Sequence, residues 1–402
     1  MTELQSRPES HTKVAFVLLS TVASGTERRI GRLFRHLSSA HPGRYHLIVS
    51  REVWTHLGLG GFGLEELPNI HILGRRSLFD RKKGAEESWL VNLGRAITLL
   101  RYRRQIQSIV RWNHIGVLQI FLEVVPFLGL LPIKGVKLIV SLVSHLPKYY
   151  DGKSLESRLL LRALRQADKV DTLYDYITDH VLQLGIASNK VNSPRSTCVD
   201  SDRFRPEPKE RLVTFAARSF QWKNPLLMLE VVQRVSGHVP DARFVIMGEG
   251  PQVRLLQEAA NALGLGAKVS IKHYSRPYEI VNRSLVHVCL EEYDNAPNQS
   301  TLEGMAAGCA LVASDVGLTS QVVTPEVGVL VSFDEWAVAD KVSDLLLRPA
   351  IAMQLGRAGR ERILRDFNTR DYLNYLLQLH DFSTPGPIVK GQGPRPIPSP
   401  PC

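Results

Sequence analysis

The sequence predicts an α/β protein of two domains built on parallel strands, and three observations carry that prediction. Apolar, β-rich runs such as 244–247 and 286–290 recur between helical stretches and end in glycine-rich or acidic loops, as buried parallel strands do. The chain has 402 residues, more than one hydrophobic core fills. The alternation of strand and helix also restarts after residues 199–208, whose prolines and charges suggest a hinge.

Charge narrows the partners. Fifty Lys and Arg against 39 Asp and Glu give a net charge of +11, which favours a phosphorylated ligand, a nucleic acid or an anionic membrane. Cys198, Cys289, Cys309 and Cys402 lie far apart without a C-x-x-C pair, so neither a zinc knuckle nor a disulfide framework is expected, and a reducing cytosol is the simplest home. Residues 1–12 lack the apolar core of a secretory signal. The greasy stretch 117–143 is interrupted by Glu123, Pro126, Pro132, Lys134 and Lys137, and reads as strand, short helix, strand rather than a membrane span.

Taken in order, residues 13–19 form a strand, followed by a small-residue loop containing Gly25 and a helix through Leu37. Such a loop lets backbone approach an anionic or hydroxylated ligand, and it is equally an ordinary strand-to-helix turn. It is not G-x-G-x-x-G, which argues against a nicotinamide enzyme. A strand at 46–49 and a glycine-rich loop at 58–63 precede the basic segment 75–111. There Arg75, Arg81, Arg101, Arg104 and Arg111 interleave with Trp89, Leu93, Ile97 and Leu100, continuing to Trp112. Two readings stand: a helix that packs its apolar side and wets its charges, or one that rests on an anionic bilayer. Nucleic-acid binding is not expected, because no module for it is present.

Strands at 117–121 and 137–143 follow, the second leading to His145, a candidate hydrogen-bonding or proton-handling group at a strand's carboxyl end. Helices are expected at 154–167 and 176–185. In the second half, strand 212–216 runs into a turn flanked by Arg218 and Lys223, with a helix from about Asn224. Two cations there can clamp a diphosphate that the helix dipole also attracts. Strand 244–247 ends on Gly248 and Gly250, and strand 286–290 ends in an acidic loop feeding a helix from about Ser300. Both loops should face one crevice. Ser300-Thr301-Leu302-Glu303 also reads as a capping box, in which Glu303 merely closes a helix end. Strand 310–314 and helices at 334–347, 352–366 and 369–382 complete the fold, and the proline-rich segment 383–402 reads as a disordered tail.

Four motifs in order now carry a resemblance: R-S-F-Q-W-K-N-P from Arg218, P-D-A-R-F-V-I-M-G-E-G-P from Pro240, N-Q-S-T-L-E-G-M-A-A-G-C-A-L-V-A-S-D-V-G from Asn298, and G-V-L-V from Gly328. From about 212 to 367 the chain resembles the carboxyl-terminal domain of the retaining GT-B glycosyltransferases of the family four type. S-G-T-E-R, V-S-H and C-V-D-S-D-R-F-R-P extend the likeness more loosely into the first half. The resemblance implies two Rossmann-like domains facing across a cleft: residues 1–205 on the acceptor side, and 206–366 holding a nucleotide sugar. A closing segment, 367–382, would pack back on the first domain.

The resemblance also implies roles. Arg218 and Lys223 would neutralise the departing diphosphate without a metal or other cofactor, and Glu303 would accept hydrogen bonds from the ribose diol. Gly248 and Gly250 would give room near the nucleotide, Gly25 would admit the first domain's loop, and His145 would sit beside the donor sugar. Ser300 and Thr301 would join the donor site. The implied activity is hexosyl transfer from a nucleoside-diphosphate sugar to a polysaccharide or lipid-linked acceptor in cell-surface glycan synthesis. The implied place is the cytoplasm, with peripheral contact to the membrane's inner face through residues 75–111. The family places a first glutamate seven residues before the Glu303 equivalent. Here that count lands on Asn295, while the strand end favours Asp294, so either the aspartate serves or an amide has replaced the carboxylate. The amide alternative describes a nucleotide-sugar-binding protein of the same shape with impaired catalysis.

Overall fold

The computed structural model describes residues 12–19, 25–59, 63–74, 89–121, 133–143, 155–173, 175–194, 197–216, 225–248, 253–292 and 297–382. These fall into two compact units, one from the described residues of 1–196 with those of 373–402, the other from 197–372.

The first unit runs β1 (Lys13–Leu18), α1 (Gly25–Ala40), β2 (Tyr45–Ser50), α2 (Arg51–Leu59), β3 (Ile70–Leu73), α3 (Trp89–Asn113), β4 (Ile115–Phe121), β5 (Lys137–Leu142), α4 (Leu155–Gln166), β6 (Lys169–Thr172), α5 (Asp175–Gln183) and β7 (Val191–Asn192). Its sheet has the order β3-β2-β1-β4-β5-β6-β7, and every described pair is parallel. The chain winds outward from β1 to β3, then re-enters beside β1 at β4 and winds the other way. Such a reversal opens a crevice at the strands' carboxyl ends.

Two expectations need correction here. Gly58 belongs to α2, not to a glycine-rich loop, because Val53 and Leu57, four apart, bury one face of that helix. β3, β6 and β7 were not expected at all. They are short, and I-H-I-L, K-V-D-T and V-N carry no continuous apolar run. In α3, Tyr102, Ile106 and Val110 recur every four residues and are buried, while Arg101, Arg104 and Arg111 are exposed. The described part of the basic helix therefore packs its apolar side within its own unit. Trp112 departs from that pattern and is 83% exposed.

A buried polar line crosses this sheet. Gln119, Ser141 and Asp171 come from the adjacent strands β4, β5 and β6, and all three are buried. The Gln119 amide donates to Ser141 Oγ at 2.8 Å, and Ser141 Oγ donates to Asp171 Oδ2 at 2.7 Å. Tyr375 donates its hydroxyl to the other oxygen of Asp171, and His380 Nε2 lies 2.7 Å from Gln119 Oε1. Lys169 Nζ donates to the carbonyls of Leu379 and Asp381 at 2.9 and 2.6 Å, which places a cation on the last carbonyl of a helix and on the chain just beyond it.

Burial pushes the Asp171 carboxyl upward, while the hydrogen bonds from Tyr375 and Ser141 and the charge of Arg29 pull it back. The terminal segment is thus docked by directional bonds as well as by apolar area.

The second unit runs β8 (Glu210–Ala216), α6 (Pro225–His238), β9 (Arg243–Met247), α7 (Val253–Ala262), β10 (Val269–Lys272), α8 (Tyr278–Val281), β11 (Ser284–Cys289), α9 (Gln299–Ala306), β12 (Ala310–Ser314), α10 (Thr319–Val322), β13 (Gly328–Val331), α11 (Glu335–Leu347), α12 (Pro349–Asp366) and α13 (Thr369–Leu379). The last helix starts in this unit and ends in the first. The sheet order is β10-β9-β8-β11-β12-β13, again parallel throughout. Apolar clusters cover both faces, one around Phe215, Val232, Val286 and Leu346, the other around Leu302, Met305, Leu311 and Ile363.

Residues 199–208 are not an open linker. Val199 and Phe204 are core residues of the second cluster, and Arg360 Nη1 donates to the carbonyls of Ser201, Phe204 and Ala306. The second unit accordingly begins at Thr197, ahead of the expected boundary at 205. The tail at 383–402 lies outside the described residues.

Asp171→Ala strands the Ser141 and Tyr375 hydroxyls in the buried line, so we expect a loss of roughly 2–4 kcal/mol in urea unfolding. Tyr375→Phe removes one donor and leaves the carboxylate its other partner, for a loss of about 1 kcal/mol. Equal midpoints for both variants and the wild type would show that the polar line does not hold the helix.

Candidate functional site

In the second sheet the strand order reverses between β8 and β11, which are paired neighbours with Phe215 opposite Val288. The segments leaving their carboxyl ends, 217–224 and 290–298, therefore start side by side, as loops at a ligand crevice do. Arg218, Lys223, Gly250, Asp294, Asn295 and His145 lie outside the described residues. Gly25, Gly248, Ser300, Thr301 and Glu303 are described.

Gly248 ends β9 with φ 156°, a backbone setting that a Cβ disfavours, and its N–H donates to Lys272 O at 3.3 Å. Gly25 is the first residue of α1. It belongs to the first unit, whereas the other four described residues belong to the second.

The amino end of α9 is the best-defined part of the site. Its N-cap is Asn298, whose Oδ1 accepts from the Ser300 N–H at 3.0 Å. The Asn298 amide nitrogen donates to Glu291 Oε1, and the Glu291 N–H in turn donates to Ser314 Oγ at 2.9 Å. Helix geometry leaves the N–H groups of Gln299 and Thr301 without partners in the helix's own ladder, so the end carries partial positive charge.

The expected capping box at 300–303 is corrected by this arrangement. Because Asn298 is the cap, Glu303 lies well past the position from which it can reach back to the cap's N–H. Glu303 is partly exposed instead, with the Gln299 amide 3.5 Å from its Oε1. Thr301 is buried and lines a small pocket with Cys289, Glu291, Asn298, Ser314 and Thr319.

Ser300 turns its hydroxyl inward, 2.8 Å from His287 Nε2, and His287 Nδ1 lies 2.8 Å from Thr214 Oγ1. The histidine is wholly buried beneath α9. A Cβ at Gly304 would come within 2.6 Å of its ring, which is why the helix carries glycine there. Burial, with Lys209 adding to it, pulls the imidazole from 6.5 down to about 4, so it is neutral at ordinary pH.

Thr214, His287, Glu291 and Asn298 were missed in the sequence. Their signals were a threonine and a histidine inside apolar runs, an acid at a strand end, and an asparagine ahead of a helix. Among the described residues, no three His, Cys, Asp or Glu side chains gather as metal ligands, and no helix is long and apolar enough to cross a membrane.

Residues 199–362 match the family model described as "Glycosyl transferases group 1". That segment is similar to a group 1 glycosyltransferase domain. The chain is 26% identical over 186 residues to the alpha-maltose-1-phosphate synthase of Mycolicibacterium smegmatis, covering 42% of this chain and 47% of that protein. It thus spans about half the length of the curated relatives it matches.

Solved structures match over far more of the fold. Anabaena Alr3699/HepE in complex with UDP-glucose aligns over 92% of this chain and 99% of its own, at a TM-score of 0.73 and 13% identity. TarM of S. aureus, in a complex containing UDP, aligns over 92% and 100%, at a TM-score of 0.70 and 12% identity. At these identities the likeness concerns architecture: two parallel-sheet α/β units, as in glycosyltransferases of the GT-B fold.

The buried histidine makes this unit acid-sensitive. Its folded-state value, about 4, is below the unfolded 6.5, so its contribution is fully present above 6.5 and is lost as pH falls toward 4. That amounts to roughly 3 kcal/mol. Urea midpoints at pH 7 and pH 4.5 should differ more for the wild type than for His287→Gln, and equal differences would contradict the assignment.

Proposed function

We propose that the chain is a retaining, hexosyltransferase-type glycosyltransferase. It moves a sugar from a nucleoside-diphosphate donor to a polysaccharide or lipid-linked acceptor in cell-surface glycan synthesis, without a metal or other cofactor. The observation that carries this reading is the strand order of the second sheet. Within the group 1 domain, it starts the segment bearing Arg218 and Lys223 beside the one leading to the amino end of α9. HepE with UDP-glucose and TarM with UDP, which share the architecture, support a nucleotide sugar as donor.

In this reading the bond between the anomeric carbon and the β-phosphate oxygen breaks, and the electron pair leaves with the diphosphate. The acceptor oxygen bonds the same face of that carbon and passes its proton to the departing diphosphate oxygen. Arg218, Lys223 and the amino end of α9 stabilise the charge growing on the leaving group, as preorganised dipoles and cations do best in a water-poor site. Glu303 accepts from the ribose hydroxyls, with Ser300 and Thr301 on the same helix. Gly248 and Gly250 make room for the nucleotide, and Gly25 and His145 contribute to recognition of the sugar. Asp294 or Asn295 faces the anomeric carbon. A carboxylate there stabilises an oxocarbenium-like centre, which an amide does not.

Two variants separate the enzyme from a binding protein of the same shape. Asp294→Asn should lower donor turnover at least tenfold with little change in nucleotide affinity, and Asn295→Glu should not raise turnover. The reverse ranking, with Asn295→Glu accelerating transfer, would show that the site has lost its carboxylate and would favour the impaired-enzyme reading.

We also propose a cytoplasmic location with peripheral contact to anionic lipid on the membrane's inner face. In support, the exposed side of α3 carries Arg101, Arg104 and Arg111 beside Trp112, with no acidic residue from 101 to 113. Each near-surface cation adds about 1 kcal/mol of attraction. Replacing all three arginines with glutamine should abolish sedimentation with anionic vesicles at low salt. Equal recovery of the wild type with neutral and anionic vesicles would remove the membrane from this account.

A further inference from the structure

The buried side-chain contacts of His287 point to one direction for the hydrogen bonds around it, against a backbone hydrogen bond with Ser300 that favours the protonated ring. Ser284 Oγ lies 2.9 and 2.8 Å from the carbonyl oxygens of Leu212 and Val286, which only accept, so its proton points to them. Ser284 then accepts from Thr214, whose Oγ1 is 2.9 Å away. With its proton spent there, Thr214 accepts from His287, which must carry its hydrogen on Nδ1. Nε2 is left as a lone pair, and the Ser300 hydroxyl, 2.8 Å away, donates to it. A neutral ring holds only one of these hydrogens, so the chain of donors is self-consistent from Ser300 to the strand carbonyls.

This line runs from the middle of the sheet to the first turn of α9. The same turn is held from its other side by Asn298, through Glu291 and Ser314. Ser300 is therefore gripped twice, by its N–H and by its hydroxyl. Nothing else requires a histidine inside V-H-V, where a valine or phenylalanine would bury with less desolvation cost.

We propose that His287 is a positioning residue of the donor site: as the Nδ1–H tautomer it receives the Ser300 hydroxyl and holds the first turn of α9 in the orientation that presents its N–H groups to the donor diphosphate. The inference rests on the reading of this helix end as part of the donor site. It adds a residue that never meets the substrate but sets the affinity of the groups that do. It also gives Ser300 a defined role, with its proton committed inward and only lone pairs left for a ligand hydroxyl.

The test uses the full chain and two readouts. In 15N-histidine-labelled, unliganded protein, long-range imidazole spectra should show a protonated Nδ1 and a bare Nε2 from pH 8 down to about pH 5, and the opposite tautomer would overturn the proposal. Dissociation constants are then measured for uridine, guanosine and adenosine diphosphate with His287→Ala, Ser300→Ala, the double variant and His287→Gln.

For the nucleotide that binds, each single alanine variant should weaken affinity about five- to tenfold. The double variant should be no worse than either, because His287 acts through Ser300. His287→Gln, whose side-chain oxygen can accept from Ser300, should stay within about twofold of the wild type, although it loses the Thr214 bond as fully as the alanine variant does. Additive losses, or a glutamine variant as weak as the alanine one, would mean a merely structural histidine. If the wild type binds none of the three nucleotides, the donor-site reading fails, while the tautomer result still decides whether the hydrogen-bond line exists as drawn.

Discussion

A parallel sheet covered on both faces leaves only the ends of its strands for polar chemistry, and this constraint organises the chain. Both described sheets are parallel throughout, so within each sheet every strand finishes at the same edge. Where the order reverses, two neighbouring strands send their loops apart and a gap opens that no crossover fills. In the second sheet that gap lies between β8 and β11. The segments that follow β8 and β11 start beside it for topological reasons.

Within that frame, each sheet contains one line of buried polar side chains. In the first unit Gln119, Ser141 and Asp171 cross three adjacent strands to meet Tyr375 and His380; in the second, Thr214 and Ser284 lead through His287 to Ser300. Apolar residues in the same places would cost less to bury. What the polar lines add is direction. A hydrogen-bonded line accepts one rotation and one register of the helix it meets, whereas an apolar face accepts several. Both lines end on a helix whose placement matters, and both contain a neutral histidine, pulled down to about 3 at His380 and about 4 at His287 by burial.

Long apolar strands were legible in the sequence because residues such as those of β9 and β11 are buried on both faces and carry an unbroken pattern. The short strands β3, β6 and β7 were not. Each carries polar residues whose burial depends on partners far away in sequence, as Asp171 depends on Tyr375. Residues whose type announces a chemistry, as Arg218, Lys223 and Glu303 do, stood out in the sequence as candidates. It was illegible where function passes through a contact. His287 reads as an oddity in a strand until the fold sets Ser300 and Gly304 over it, and Glu291 reads as one more loop acid until Asn298 meets it. Residues 199–208 show a related limit. Prolines and charges describe a segment's surface, but Val199 and Phe204 decide where it packs.

The Glu291–Asn298 bond also bears on the ambiguity between Asp294 and Asn295. It ties together the two feet of the loop that carries them, and β12 holds one foot through Ser314. Asp294 and Asn295 stand midway in sequence between the tied residues. Closing a short loop at its feet removes much of the conformational freedom that its middle would otherwise have. A family in which this loop carries a glutamate has a longer side chain with which to reach the sugar. Glu291 spends its carboxylate on that clamp, so in the proposed reading it is not the acid that meets the developing positive charge.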